Sequence, residues 1–384
     1  MTHSPSGGSP VAARPTRPQP RGADLLDSDD GVLPRLARYF AKPGRTTHAV
    51  MAVALVAGAL WAAFGGPFIS LIGQSCAVFA VAAVGQSILL GSAGQIALSG
   101  GAFMAIGAFT TGLLNGTALE PFPVPLLVSL LVGWVVGLIA GLPGLRFRGL
   151  YLLLASLALQ FMVIALARNY QAENAPAGVI VPLPELGGLD LSVGTPLYLM
   201  LLTVLLIVYF GSWLVERTGI GLAWRAIRES EVAAAVSGVD VTRWKLYAFA
   251  ASGAITSLAG SLFAYVIGRA DYVSFDMALS IALITMIFIG GIRSRLGALT
   301  GAVIITALPY ILQNYLSPVL AGIGLGADWY VNNQSQVNAG LFSLLFLLVV
   351  LFEPDGVEGL LLKAERVLRR RVSGLTSRLS GGTT

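Results

Sequence analysis

"GIGLAWRAIRESEVAAAVSGVDVTRWK", residues 219–245, is a strongly charged stretch set between two oily ones. The apolar runs 196–214 and 246–268 flank it, each long enough, or nearly so, to cross a bilayer. It carries Arg225, Arg228, Arg243 and Lys245 beside Glu229, Glu231 and Asp240. Charges of both signs between two spans belong in water, so the reading of this segment decides for a polytopic membrane fold. On a helix from about Leu222 to Ser237, the residues Ala223, Trp224, Ile227, Ala234 and Val236 lean to one side. Arg225, Arg228, Glu229 and Glu231 take most of the remaining surface. Gly238 stands where a helix C-cap is expected, and Asp240-Val-Thr242 can restart the chain into the next span. A short helix with an apolar stripe and both charge signs suits a groove on another protein. The plainer alternative is a helix resting on lipid headgroups.

Composition agrees. The chain has 384 residues, 55% of them hydrophobic and only 11% charged, where soluble domains carry about 25% charge. Mean hydropathy is +0.79. With 46 glycines, closely packed transmembrane helices are favoured over a water-soluble core. A single cysteine, Cys76, rules out a disulfide framework, and the two histidines, His3 and His48, both lie near the N-terminus, away from any expected membrane metal site.

Working outward, apolar stretches fall near 49–65, 68–90, 96–115, 125–144, 149–167, 196–214, 246–268, 277–292, 297–316 and 336–352. The third could be re-entrant, and the eighth and tenth are short. With ten crossings and a cytoplasmic N-terminus, every Lys and Arg falls inside except Arg168 and Arg269. That distribution obeys the positive-inside rule. Dropping one early span would put Arg146 and the charged loop on the wrong side. Trp329 and Tyr330 read as an outer interfacial anchor. Residues 1–47 are rich in Pro, Arg, Ser and Gly; they read as a cytoplasmic tail, disordered or partly an amphipathic surface helix at 31–45. No apolar signal-like run appears before residue 48. The basic end, 353–384, reads as a second cytoplasmic tail, with Arg369-Arg370-Arg371 suited to a lipid surface rather than to nucleic acid.

The spans themselves hold almost no ionisable residue, and a central charge costs at least about 2.5–3.5 kcal/mol unless it works for an ion path. Proton coupling is therefore disfavoured. Sodium coupling through carbonyls and hydroxyls stays open. No G-x-x-x-x-G-K-[ST] motif occurs, so this chain does not bind ATP by that route. No nucleophile, base or metal cluster stands out, and the expectation is a transport subunit without cofactor rather than an enzyme.

The segment "WRAIRESEVAAAVSGVDVTRWKLYAF" resembles the cytoplasmic loop of branched-chain amino-acid ABC transporter permeases, the LivH/LivM family. Two more stretches resemble that family: "GQSILLGSAGQIALSGGAFMAIGAFTTGLL" (85–114), closer to the LivM type, and "LRFRGLYLLLASLALQ" (145–160). The resemblance covers roughly residues 70–352 and implies an all-α importer permease, with loop 216–245 as the coupling element that docks an ATPase. It implies Trp224, Arg225, Ile227, Arg228, Glu231, Ala234 and Gly238 as coupling residues. The implied partners are a second, LivH-like permease subunit, two ABC ATPase subunits and an external solute-binding protein, in a bacterial inner membrane. Leucine, isoleucine and valine are the default substrates; urea, short amides and other amino acids remain open within the family, and a secondary transporter or channel outside it. The chain departs at Gly100, where the family usually has His, and at Phe109, where it usually has Tyr.

Glycines 91, 94, 100, 101 and 107 crowd a short stretch with Ser92, Gln95 and Ser99. Glycine weakens helical continuity, so Gly91–Gly101 reads either as a broken helix whose amides face a passing carboxylate, or as a surface for close helix packing. Gln86, Gly94, Gln95, Ser99, Gly100, Phe103 and Gln160 are the candidate translocation-path residues. Arg146, Arg148, Arg293 and Arg295 mark tight inside turns, either setting topology or touching an ATPase.

Overall fold

Nearly every expected span between residues 66 and 322 falls on a helix of matching extent. The computed structural model describes residues 66–146, 149–186, 189–190, 194–292 and 294–322, with a few isolated positions beyond. The expected tails, the spans at 49–65 and 336–352, and the Trp329–Tyr330 anchor lie outside the described residues. In order, the helices are α1 (Gly66–Ser87, running into a π-turn at Ile88–Ser92), α2 (Gly100–Leu113), α3 (Val124–Arg146), α4 (Leu150–Asn174) and α5 (Thr195–Arg217). Two short helices, α6 (Gly219–Glu229) and α7 (Glu231–Val236), precede α8 (Val241–Ile267), α9 (Met277–Gly290) and α10 (Arg295–Gly322). Five stretches (Phe68–Ser92, Val124–Leu145, Tyr151–Asn174, Thr195–Arg217 and Val241–Ile267) are long and apolar enough to cross a membrane; α2, α9 and the Arg295–Tyr310 part of α10 are shorter apolar helices. The fold is all-α and multi-pass.

Helix α8 is the hub, packing on α3, α2 and α1. Its sequence explains why. Ala248, Ala250, Ser252, Gly253, Ala254, Thr256, Ser257, Ala259, Gly260 and Ser261 keep its surface low, so neighbours approach to backbone distance. A Cβ on Gly107 of α2 would overlap the Ser257 carbonyl, and one on Gly260 would overlap that of Met104. Hydroxyls close the remaining gaps: Ser257 Oγ donates to the Ser129 carbonyl at 2.8 Å, and Thr111 and Ser261 share a hydrogen bond. By contrast α3, α4 and α5 expose Leu131, Ile139, Phe161, Leu166, Ile207 and Leu214. Apolar side chains that face outward along long helices belong against lipid or another membrane subunit.

The connecting segments gather at two ends. At one, a two-stranded ladder pairs β1 (Val179–Ile180) with β4 (Arg269–Ala270); Val181 N–H reaches the Gly268 carbonyl and Asn115 reaches that of Ile180. A separate small hairpin there pairs β2 (Glu185–Leu186) with β3 (Leu189–Asp190). At the other end lie the π-turn, the α6–α7 loop and the α9–α10 turn, tied together through Glu216. Sides therefore alternate along the described helices.

Two helices are too short to cross. Helices α2 and α9 have 14 residues each, about 21 Å against a hydrocarbon core of about 30 Å. The missing depth is made up by irregular backbone at 93–99 before α2 and 268–276 before α9. Such backbone survives at membrane depth only where protein satisfies it.

Candidate functional site

The charged loop is two helices with a break between them. Ser230 is extended (φ −162°, ψ 117°), and its side chain caps α7 by accepting from Ala233 N–H. Helix α7 ends in a Schellman turn: Val239 N–H bonds the Ala234 carbonyl and Gly238 N–H that of Ala235. Gly238 takes φ +85°, the left-handed conformation that its expected capping place demands. Asp240 then caps α8 through Arg243 N–H and pairs with the Arg243 side chain at 2.9 Å.

The apolar stripe faces inward. Ala223, Trp224, Ile227 and Ala234 are all buried, and Trp224 is only 2% exposed. Trp224 joins one apolar cluster with Ile88, Leu89, Ala93, Ala97, Leu152, Ala248 and Phe249, and its Nε1 donates to the Trp244 carbonyl at 2.9 Å. The expected single helix with a stripe free for a partner is thus corrected, because the chain's own body takes the stripe. What projects instead is Leu222, Val232 and Val236, which are 62%, 68% and 86% exposed. Val236 leaves the expected inner face because the break at Ser230 rotates α7 against α6.

Charge placement differs just as much from a simple polar rim. Arg225 turns back on the loop's start, donating to the carbonyls of Gly221 and Glu216. Arg228 points into the protein, and its Nη1 donates to the Gly91 carbonyl. Glu231 pairs with Lys245, a side chain nearly closed off from solvent. Glu216, which sequence reasoning passed over, accepts from Ser92 Oγ at 2.7 Å and pairs with Arg295 at 2.7 Å. An acid at a span end next to the oppositely charged Arg217 carries no periodic signal, so only the fold reveals its partners.

Further in, the two interrupted spans meet. Gln160, ten residues along α4 and so about 15 Å from its start, donates from Nε2 to the Phe275 carbonyl at 2.8 Å and accepts at Oε1 from Ala102 N–H. Ser280 Oγ accepts from Gly101 N–H at 2.8 Å. Asp276 caps α9 through Leu279 N–H at 3.0 Å. Helix α2 therefore starts inside the protein with its first amides already held, while the start of α9 is capped at an exposed Asp276. The expected helix break is present, but the Gly101 and Ala102 amides are engaged by side chains rather than open to a carboxylate.

The other candidates lie close by. Gln86 donates to Thr256 at 3.5 Å, and Gly100 packs so tightly that a Cβ would come 2.9 Å from Leu283 and 3.2 Å from Gln86 Nε2. Phe103 is fully buried and close to Gly253. Gly94 is exposed, with φ +69° and Arg228 against its Cα. Gln95 and Ser99 are buried, and neither amide atom of Gln95 nor the Ser99 hydroxyl has a hydrogen-bond partner. Among the described residues no group of three His, Cys, Asp or Glu is placed to hold a metal.

Residues 68–351 match the family described as branched-chain amino acid transport system / permease component. The chain belongs to this permease family. It is 30% identical over 263 residues to the high-affinity branched-chain amino acid transport system permease protein LivM of Salmonella typhimurium, and 28% identical over 263 residues to LivM of Escherichia coli. In both cases the match covers 62% of this permease and 62% of the relative. A shorter match, 29% over 120 residues, links the permease to the autoinducer 2 import system permease protein LsrC of Klebsiella pneumoniae, covering 30% of this chain and 35% of that one. No solved structure matches.

Proposed function

We propose that this permease is the transmembrane subunit of an ATP-binding cassette importer for branched-chain amino acids. The observation that carries the reading is the α6–α7 loop: a folded, charged element that plants its own apolar stripe in the bundle and leaves Leu222, Val232 and Val236 projecting. Apolar side chains exposed on a charged, water-facing loop mark a protein contact. The spans supply almost no ionisable group to couple an ion gradient, so the driving energy enters through a partner, an ATPase docked on this loop. The remaining partners are a second permease subunit, against which the exposed apolar faces of α3–α5 fit, and an external solute-binding protein. The site is the bacterial inner membrane with both tails cytoplasmic, on the strength of the Lys and Arg distribution.

The substrate reading rests on the LivM matches. The partial match to LsrC, a permease of an autoinducer 2 import system, favours as a second reading a solute other than a branched-chain amino acid. The deciding experiment is uptake into proteoliposomes holding the permease with its second permease and ATPases, driven by internal ATP and the loaded binding protein. Accumulation of labelled leucine, isoleucine or valine is expected. Binding-protein- and ATP-dependent uptake of another solute, with no amino-acid uptake, would sink the substrate reading but keep the importer.

Orientation is tested separately in a Cys76→Ser background. Thr117→Cys should react with an impermeant thiol reagent in intact cells, and Ser230→Cys only after permeabilisation. Both positions are exposed and lie at opposite ends. The reverse pattern would invert the proposed topology.

A further inference from the structure

The α6 helix is fastened to the break in the first described span at more than one point. Arg228 Nη1 donates to the carbonyl of Gly91, inside the π-turn. Ser92, the last residue of that turn, donates to Glu216, which also holds Arg295 of α10. Gly94 leaves no space for a side chain against Arg228 Cγ, and its φ of +69° lets the chain turn there. Trp224 shares its apolar cluster with Ile88, Leu89, Ala93 and Ala97. A π-turn leaves carbonyls without ordinary helical partners, so the Gly91 carbonyl is free to accept a charged donor.

Past the turn, the irregular segment 93–99 runs inward to the start of α2. It keeps the Gln95 amide and the Ser99 hydroxyl buried and without partners. Each buried unpaired polar group costs on the order of 1–3 kcal/mol. A segment carrying two such groups is poised toward any second arrangement that satisfies them.

Building on the importer reading above, we propose that Arg228 is a positioning residue that transmits movement of the α6–α7 loop to segment 93–99, rather than a contact to the ATPase. A push on α6 acts through a charge-assisted hydrogen bond, which is directional and stronger than a neutral one. Two fastenings hold the last two residues of the π-turn, Arg228–Gly91 from α6 and Glu216–Ser92 from the end of α5, so the turn moves with the α5–α6 corner. The irregular segment beyond it is then displaced relative to α2, whose first amides stay held by Ser280 and Gln160.

The test uses the reconstituted complex. Arg228→Ala should still co-purify with the ATPases and hydrolyse ATP at the basal rate, while uptake per ATP falls at least tenfold; Arg228→Lys, which keeps one donor, should recover most of it. The second readout is thiol labelling of Ile96→Cys, which is 41% exposed as Ile. Its labelling rate should change on vanadate trapping in the otherwise unaltered complex and stay constant with Arg228→Ala. Normal uptake per ATP in Arg228→Ala overturns the proposal. So does loss of ATPase co-purification, because it would make Arg228 a docking contact. If Arg228→Ala does not accumulate, Ser92→Ala cuts the parallel link, and unchanged coupling there overturns the proposal equally. Uptake and co-purification by the unsubstituted complex report on the importer reading itself, so its failure is told apart from failure of this link.

Discussion

Trp224→Ala should lower the stability of the permease by about 3–5 kcal/mol, the usual cost of emptying a large aromatic site. Trp224 is 2% exposed, fills an apolar cluster drawn from several helices, and donates from its indole N–H to the Trp244 carbonyl. Alanine leaves a cavity and removes the indole hydrogen bond to the Trp244 carbonyl. Stabilities of folded domains lie near 5–15 kcal/mol, so the loss is a large share of the total. The measurement is thermal unfolding in detergent, with trypsin cleavage at Arg225 and Arg243 as a local report. Both should shift together, because the indole is what seats α6 on the bundle. An unchanged melting temperature with normal protease resistance would show that Trp224 is not the seat of the loop.

Val236→Asp should behave in the opposite way. Val236 is 86% exposed and ends α7 beside the Schellman turn at Gly238, so the folded chain loses little, within about 0.5 kcal/mol for a surface change. Under the importer reading proposed above, its cost falls on the docked ATPase. A charge forced into the centre of a protein interface costs at least about 2 kcal/mol, roughly 30-fold in affinity. The ATPases should therefore dissociate on dilution, and ATP-driven uptake should disappear, while the melting temperature of the isolated permease stays put. Full co-purification and uptake with Val236→Asp would remove α7 from the docking surface. The two substitutions separate the loop's inner anchor from its outer contact.

Much of the bundle was legible because hydrophobic length is a coarse and robust signal. The runs 125–144 and 196–214 became α3 and α5 with boundaries shifted by a residue or a few. The four glycines of Gly91–Gly101 left a helix break and a close-packing surface both readable, and the stretch holds both: the π-turn with segment 93–99, and Gly100 packed against Leu283. The direction of the loop's stripe was not. A hydrophobic face tells that a surface is covered, not by what, and Trp224 reads the same whether it meets an ATPase or Phe249 of its own chain. The split at Ser230 was hidden for a related reason: "RESEVAAAV" is good helix sequence throughout, and the pairing of Glu231 with Lys245 depends on the fold. The Ser92–Glu216 and Gly101–Ser280 contacts were invisible because each depends on which segments the fold brings together.

The position of α8 at the centre has a consequence for how the chain is made. Helices α2 and α3 are synthesised first, yet the surface that covers their glycine-lined faces, Gly107 and Gly133 among them, belongs to α8. Roughly 120 residues separate the end of α3 from the end of α8, which at about 5–20 residues per second is a delay of about 6–24 s. For that interval the early helices stand in the membrane without their main neighbour, their small-residue seams filled only by lipid or by the insertion machinery. A ribosome stalled before residue 241 would leave a nascent chain open to capture by membrane quality control, and the seventh expected span is the one whose arrival closes the structure.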